Sequence, residues 1–224
     1  MDPSNQKLNI TFVLPTFNER GNIKFLLKQL LDLNINYEIE LIVVDDNSQD
    51  GTAEIVREFS KKEKNIKLIN RIDRFGLSSA IKEGCINASN EIIAIMDTDG
   101  QHKVEDVINA VEKLFSENLD VVIGSRFALG ASIKGLSQDR EKGSKIANKF
   151  AKYSLSRNYK NISDLMTGCF VLKRKSCIDF LKKVDVNGFK FLYELLSISK
   201  GILKIGEIPL SFQPRKDGNS KLDI

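Results

Sequence analysis

Two carboxylates one residue apart, Asp97 and Asp99, close the apolar run Ile92 to Met96, and Gln101 follows at the same spacing. An apolar run of this length bounded by polar turn residues reads as a buried strand. In an open α/β sheet, ligands lie outside the carboxyl ends of the strands. Asp97 and Asp99, with the Gln101 carbonyl behind them, then make a compact set of hard oxygen donors where a ligand would sit. Such donors suit Mg²⁺ or Mn²⁺, which take carboxylate and carbonyl oxygens, waters and substrate phosphates. The competing reading has Asp97 capping the next helix while Asp99 and Gly100 make a turn. An acid-X-acid triplet alone is common, so the rest of the chain decides between them.

A second acid cluster, Asp45-Asp46-Asn47-Ser48, ends another apolar run. A carboxylate there can accept from a uracil or guanine N–H or from ribose hydroxyls, and Asp46 is the candidate. Part of the segment also reads as an Asx turn and a helix cap at Asp50-Gly51-Thr52. Two acid clusters at neighbouring strand ends fit a nucleotide with its metal better than two coincident turns. No GxGxxG and no GxxxxGK[ST] occurs, which argues against a dinucleotide-binding Rossmann enzyme and a P-loop nucleotidase.

The elements that must position these acids follow a β-α-β-α pattern. Strands are expected at 9–16, 40–45, 65–70, 92–96 and 120–127. Helices lie between them, with apolar positions on one face (Ile23, Leu26, Leu27, Leu30; then Leu77, Ala80, Ile81, Cys85) and Asn18 as a cap for the first. This alternation predicts an α/β fold, a mostly parallel central sheet with helices on both faces. Residues 128–138 lack periodicity and read as a mobile loop. CFVLKR at 169–174, a helix near 189–199 and 202–214 complete the core. One domain, 1–212, precedes a flexible basic tail, 213–224.

The 224 residues, 42% hydrophobic and 29% charged, fit a globular domain with a full core. With 13 Phe, 4 Tyr and no Trp, no aromatic platform for stacking bases is evident, and no nucleic-acid partner is expected. No apolar run approaches a membrane span and no signal-peptide pattern opens the chain. Cys85, Cys169 and Cys177 lack paired spacing, which points to a reducing compartment and away from structural zinc. Base is localised: residues 140–160 hold seven Lys/Arg against Glu141, a local +6 in a chain of net +4, so the remainder carries −2. Ile146, Phe150 and Tyr153 recur in that stretch at helical spacing. That is the pattern of a helix lying in a lipid interface, or of an ordinary surface helix with a solvated charged side.

LPTFNE (14–19), VVDDNSQDGT (43–52), the Arg74 to Leu77 segment, MDTDGQH (96–102), GSRF (124–127), SDLMTGCF (163–170) and FQPRKDGNSKL (212–222) stand in the order of the family 2 glycosyltransferases. The chain most resembles their polyprenyl-phosphate branch, the dolichol-phosphate mannose synthases and bacterial relatives. The resemblance implies a GT-A fold, a nucleotide-sugar donor, a divalent metal and inversion at the anomeric carbon. By the same resemblance Pro15, Phe17, Glu19 and Asp46 match the nucleotide pocket, and Asp97, Asp99 and Gln101 the metal ligands. Arg126, Arg140, Arg215 and Lys221 match basic residues near the phosphates. Asp99, Arg126 and Arg215 are thus the residues expected to carry catalysis. Gly100 departs from the larger apolar residue of many relatives, which would loosen the metal loop, and SDLMTGCF departs from D-P-x-S-G-F. Many relatives continue into transmembrane helices, so the sequence reads as a tail-less form or one trimmed ahead of them. Its expected place is peripheral, on the cytoplasmic face of a membrane.

The implied reaction moves a hexose from a GDP-mannose or UDP-glucose type donor to a polyprenyl phosphate. An acceptor phosphate with a second pKa of about 6 is largely dianionic at neutral pH and needs no strong base. That agrees with the single histidine, His102, read as a support for the metal loop or as the start of the next helix. A glycan hydroxyl acceptor would need a base, with Asp164 or Glu194 the candidates. The third reading, a nucleotide-sugar-binding module without turnover, fits poorly with an intact acid-X-acid-X-Gln set. A final expectation is a lid: the tail folds over the bound donor and its cations gather the phosphates of both substrates.

Overall fold

The computed structural model describes residues 7–73, 75–135, 137–187 and 190–215. In chain order its elements are β1 (Leu8–Thr16), α1 (Arg20–Asp32), β2 (Tyr37–Asp45), α2 (Thr52–Lys62), β3 (Ile66–Asn70), α3 (Leu77–Asn87) and β4 (Ile92–Ile95). There follow α4 (Val104–Ser116), β5 (Val121–Ser125), α5 (Gln138–Ser154), β6 (Phe170–Lys173), α6 (Arg174–Leu181), α7 (Phe191–Ser199) and β7 (Ile205–Pro209).

Among the described residues seven strands form one sheet in the order β3-β2-β1-β4-β6-β5-β7. Successive strand residues feed opposite faces. Ile10, Phe12 and Leu14 of β1 pack with α1 and α4, whereas Val13 packs with α3 and with the α6 and α7 layer. Both faces are covered, which is why the inner strands read as unbroken apolar runs. All three cysteines are free and buried, and burial pushes the Cys177 thiol up to about 12.

The expected parallel alternation holds for β1 to β4 and fails at one strand. β6 runs antiparallel to both β4 and β5 and lies between them. β1 is also a switch point, because the chain steps to β2 and β3 on one side and returns to β4 on the other. The two acid-bearing strands, β2 and β4, are therefore not neighbours: each flanks β1. Two local expectations also change. Asn18 does not cap α1. It adopts φ 52 and accepts from the Gln49 amide, while Glu19 takes the cap position. The stretch expected to be a structureless loop is anchored, since Ser132 bridges Ser211 in parallel, and α5 begins at its end.

Candidate active site

Three segments meet at the carboxyl ends of β1, β2 and β4. Thr98 donates its hydroxyl to the Pro15 carbonyl at 3.2 Å, and the Asp46 amide donates to the Thr16 carbonyl at 2.8 Å. The first bond holds the turn after β4 against the end of β1, and the second ties the end of β2 to it. Asp99 Oδ1 accepts the Gln101 amide at 3.1 Å, so the turn reading of this triplet is correct in part. Gly100 makes the turn at φ 77, a conformation that costs glycine nothing; the glycine serves the loop. The capping reading is not met: α4 starts after Lys103, with no side-chain cap.

Asp97 and Asp99 line a cavity of about 330 Å³ together with Gln101, His102, Arg126 and Arg215. Leu77, Ile81, Leu165, Met166, Phe170, Phe191 and Leu192 supply its apolar lining. Asp99 is buried, and burial followed by the Asp97 carboxylate raises its pKa although His102 and Arg215 pull it down. A bound dication would offset that excess of negative charge. The donor set fits one: two carboxylates and the Gln101 amide oxygen arise from a single turn. His102 Nε2 lies 3.5 Å from Asp97 Oδ2, and Phe212 packs edge-on against its ring at 5.2 Å.

β6 supplies what the sequence reading missed. Ile95 pairs with Phe170, and continuing that antiparallel register sets Asp97 opposite Gly168. A Cβ on Gly168 would overlap the Asp97 carboxylate. Only the antiparallel insertion creates this contact, and local periodicity carries no signal for it.

The expected basic residues separate by role. Arg126 donates from Nε and Nη2 to the two oxygens of Asp164, at 2.7 and 2.9 Å, and Asp164 is fully buried. Arg126 is thus a fixed charge at the cavity wall. Arg215 reaches Asp99 Oδ2 at 2.8 Å and Gln101 Oε1 at 3.1 Å. Arg140 lies in the first turn of α5, and Lys221 lies outside the described residues.

The expected nucleotide residues Pro15, Phe17, Glu19 and Asp46 do not line this cavity; they stand at the ends of β1 and β2. Glu19 is buried, with Oε2 accepting from Asn22 at 2.7 Å and its amide donating to Thr52 at 2.9 Å. Pro15 is the penultimate residue of β1 and Phe17 follows the strand. Asp46, the candidate nucleotide contact, is buried and its carboxylate is bonded within the protein. Its carboxylate accepts from Arg71 Nη1 and the Phe75 amide at 2.9 Å, and from the Gly76 amide at 2.8 Å. Arg71 continues to Glu83 at 2.9 Å. Asp46 therefore ties Arg71, Phe75 and Gly76, between β3 and α3, to the end of β2. Arg71, 25 residues away, had no local signal to mark it as the partner.

Residues 11–181 match the family model described as Glycosyl transferase family 2. The chain is 33% identical over 217 residues to a dolichol-phosphate mannosyltransferase of Pyrococcus furiosus, covering 96% of this chain and 59% of that protein. It therefore spans less than two thirds of that relative. It is 32% identical over 224 residues to the dolichol-phosphate mannosyltransferase of Saccharomyces cerevisiae, covering 96% of this chain and 81% of that one. Among solved structures, glucosyl-3-phosphoglycerate synthase from Mycobacterium tuberculosis, in complex with Mn²⁺, uridine diphosphate and phosphoglyceric acid, shares the fold. Its TM-score is 0.69 at 20% identity, covering 96% of this chain and 72% of that one.

Proposed function

The chain belongs to glycosyl transferase family 2 and has the GT-A fold, and on that premise we propose a metal-dependent inverting transferase that moves a hexose from a nucleotide sugar to a polyprenyl phosphate. The observation that carries this reading is the convergence of Asp97, Asp99, Arg126 and Arg215 on one cavity. Mannose from GDP-mannose is the first donor to test, given the names of the relatives.

Asp97, Asp99 and Gln101 would hold Mg²⁺ or Mn²⁺. When bound, the ion neutralises charge developing on the leaving diphosphate. Pro15, Phe17, Glu19 and Asp46 would shape the nucleotide end, Asp46 through the residues it ties to β2. Arg126, fixed by Asp164, and Arg215 would face the phosphates, with Arg140 and Lys221 as further cations for the acceptor. One oxygen of the dianionic acceptor phosphate bonds to the anomeric carbon as the bond from that carbon to the diphosphate breaks. No proton need move. The described carboxylates lining the cavity are Asp97 and Asp99 alone. Asp164 is buried in its pair with Arg126, and Glu194, in the first turn of α7, does not line the cavity. A glycan hydroxyl, which needs a base, is therefore the weaker acceptor, and the intact acid set disfavours a module without turnover.

Gly168→Ala is expected to re-aim the Asp97 carboxylate, a flexible side-chain end, and so to weaken Mn²⁺ binding at least tenfold with little change in Tm. Mn²⁺ titration followed by electron paramagnetic resonance checks this. Unchanged affinity would mean that Asp97 is not a ligand.

The acceptor is lipid-borne, and α5 suits a membrane surface. Its Asn148 and Ala151 are buried, while Ile146, Phe150 and Tyr153 are 58%, 71% and 75% exposed on the opposite side of the helix. Lys142, Lys145, Lys149 and Lys152 flank that stripe. Each basic residue near an anionic surface contributes about 1 kcal/mol. Among the described residues no helix is long and apolar enough to cross a membrane, so docking at the cytoplasmic face would be peripheral there. Co-sedimentation with anionic liposomes should fall as salt rises and be lost on reversing Lys145, Lys149 and Lys152. Binding indifferent to both would refute the surface role.

The test of function is a panel of GDP-mannose, UDP-glucose and UDP-N-acetylglucosamine, each offered with polyprenyl phosphate or a glycan acceptor. Transfer to the lipid phosphate supports the proposal; transfer only to glycan replaces it.

A further inference from the structure

We infer that Arg215 is an internal counter-cation of the acid pair, which a divalent ion must displace, so that metal loading and release of this arginine are one event. The inference rests on the proposed metal reading and adds an order of binding to it. Arg215 Nη2 lies 2.8 Å from Asp99 Oδ2, and its Nε donates to Gln101 Oε1 at 3.1 Å. Both oxygens belong to side chains of the ligand set.

The geometry leaves little freedom to share. Gln101 Nε2 donates to the Gly135 carbonyl at 3.2 Å and to the Gln213 carbonyl at 3.0 Å. The Gln213 amide in turn donates to the Gln101 carbonyl at 2.8 Å. These bonds fix the amide so that Oε1 faces Arg215, and turning it away would break two of them. The Arg215 and Asp99 side chains are only 22% and 10% exposed, so water screens the contact poorly. An ion held by the same carboxylate oxygen would put a second cation on the ligand that the guanidinium already occupies. A dication, with its higher charge, would displace the guanidinium from that oxygen. The released guanidinium is a planar fork suited to phosphate oxygens. Arg215 then becomes available to a substrate phosphate only after the metal has bound.

Two measurements without nucleotide test this. Mn²⁺ affinity, read from the paramagnetic resonance of free Mn²⁺, should be about tenfold tighter in Arg215→Ala than in the native chain, with Arg215→Lys between. Trypsin cleaves after Arg215 only when that side chain enters its own specificity pocket, so mass spectrometry of the 215–216 bond reads whether the arginine is engaged. Cleavage there should accelerate several-fold on adding Mn²⁺ to the native protein and show no response to Mn²⁺ in Asp99→Asn. Equal Mn²⁺ affinity in native and Arg215→Ala proteins, with metal-independent cleavage, overturns the exchange and leaves the metal site standing. No Mn²⁺ binding by either protein overturns both.

Discussion

Asp99→Asn is expected to lower turnover about 10³-fold while Tm holds or rises. The loss follows from the proposed role: a divalent ion contributes several kcal/mol of transition-state charge stabilisation, and about 4 kcal/mol corresponds to that factor. An amide keeps the acceptor for the Gln101 N–H but not the charge. The stability side follows from the raised Asp99 pKa, set by burial and then by Asp97. A carboxyl whose pKa is raised on folding binds its proton more tightly in the native state, so stability falls as pH rises through that range. At neutral pH the ionised group therefore costs the fold stability, and the neutral amide removes that cost. The advantage should vanish below the ordinary Asp value of 3.8, where both states are protonated. Melting curves at neutral and acid pH, beside initial rates, check both halves. Turnover within tenfold of native, or a clear fall in Tm at neutral pH, would contradict the assignment.

Arg126→Ala should act the other way, on the fold first. Asp164 is fully buried, and both its oxygens accept from the Arg126 guanidinium. The Arg126 and Met166 amides add bonds at 3.2 and 3.1 Å, but they supply no full charge. Removing one partner of a buried pair leaves an uncompensated charge and costs about 3–5 kcal/mol. For a chain of this size that is a fall in Tm of roughly 10 °C. Adding Asp164→Asn to Arg126→Ala should recover much of it, because the stranded charge is gone. Native-like melting of Arg126→Ala would make Arg126 a plain phosphate ligand. A double variant no better than the single would remove the buried charge as the cause.

The acid triplet and its strand were legible because both signals are local: an apolar run, then polar turn residues. The same holds for the amphipathic helices up to α4. What failed needed pairing between distant segments. β6 carries nothing in FVLK to mark its direction, yet its antiparallel insertion sets Gly168 against Asp97 and separates β4 from β5. Asp46 was read as a nucleotide contact at a strand end; its partners in the structure are Arg71, Phe75 and Gly76, which no spacing rule connects to it. Asn18 has the chemistry of a helix cap. Tertiary bonds to Ser48 and Gln49 outweighed that preference and moved the cap to Glu19. The tail was expected to be flexible from residue 213 and to fold over the donor. Of it, the described Gln213 and Arg215 are bonded to Gln101, partners that composition does not reveal, and residues 216–224 lie outside the described residues.

The most direct measurement is transfer of labelled mannose from GDP-mannose to dolichyl phosphate in detergent, scored as label extracted into organic solvent. Product that forms with Mn²⁺, disappears with EDTA and returns when Mn²⁺ is restored is the expected result. Transfer undiminished by EDTA, or label that enters a glycan acceptor but never the lipid phosphate, would contradict it.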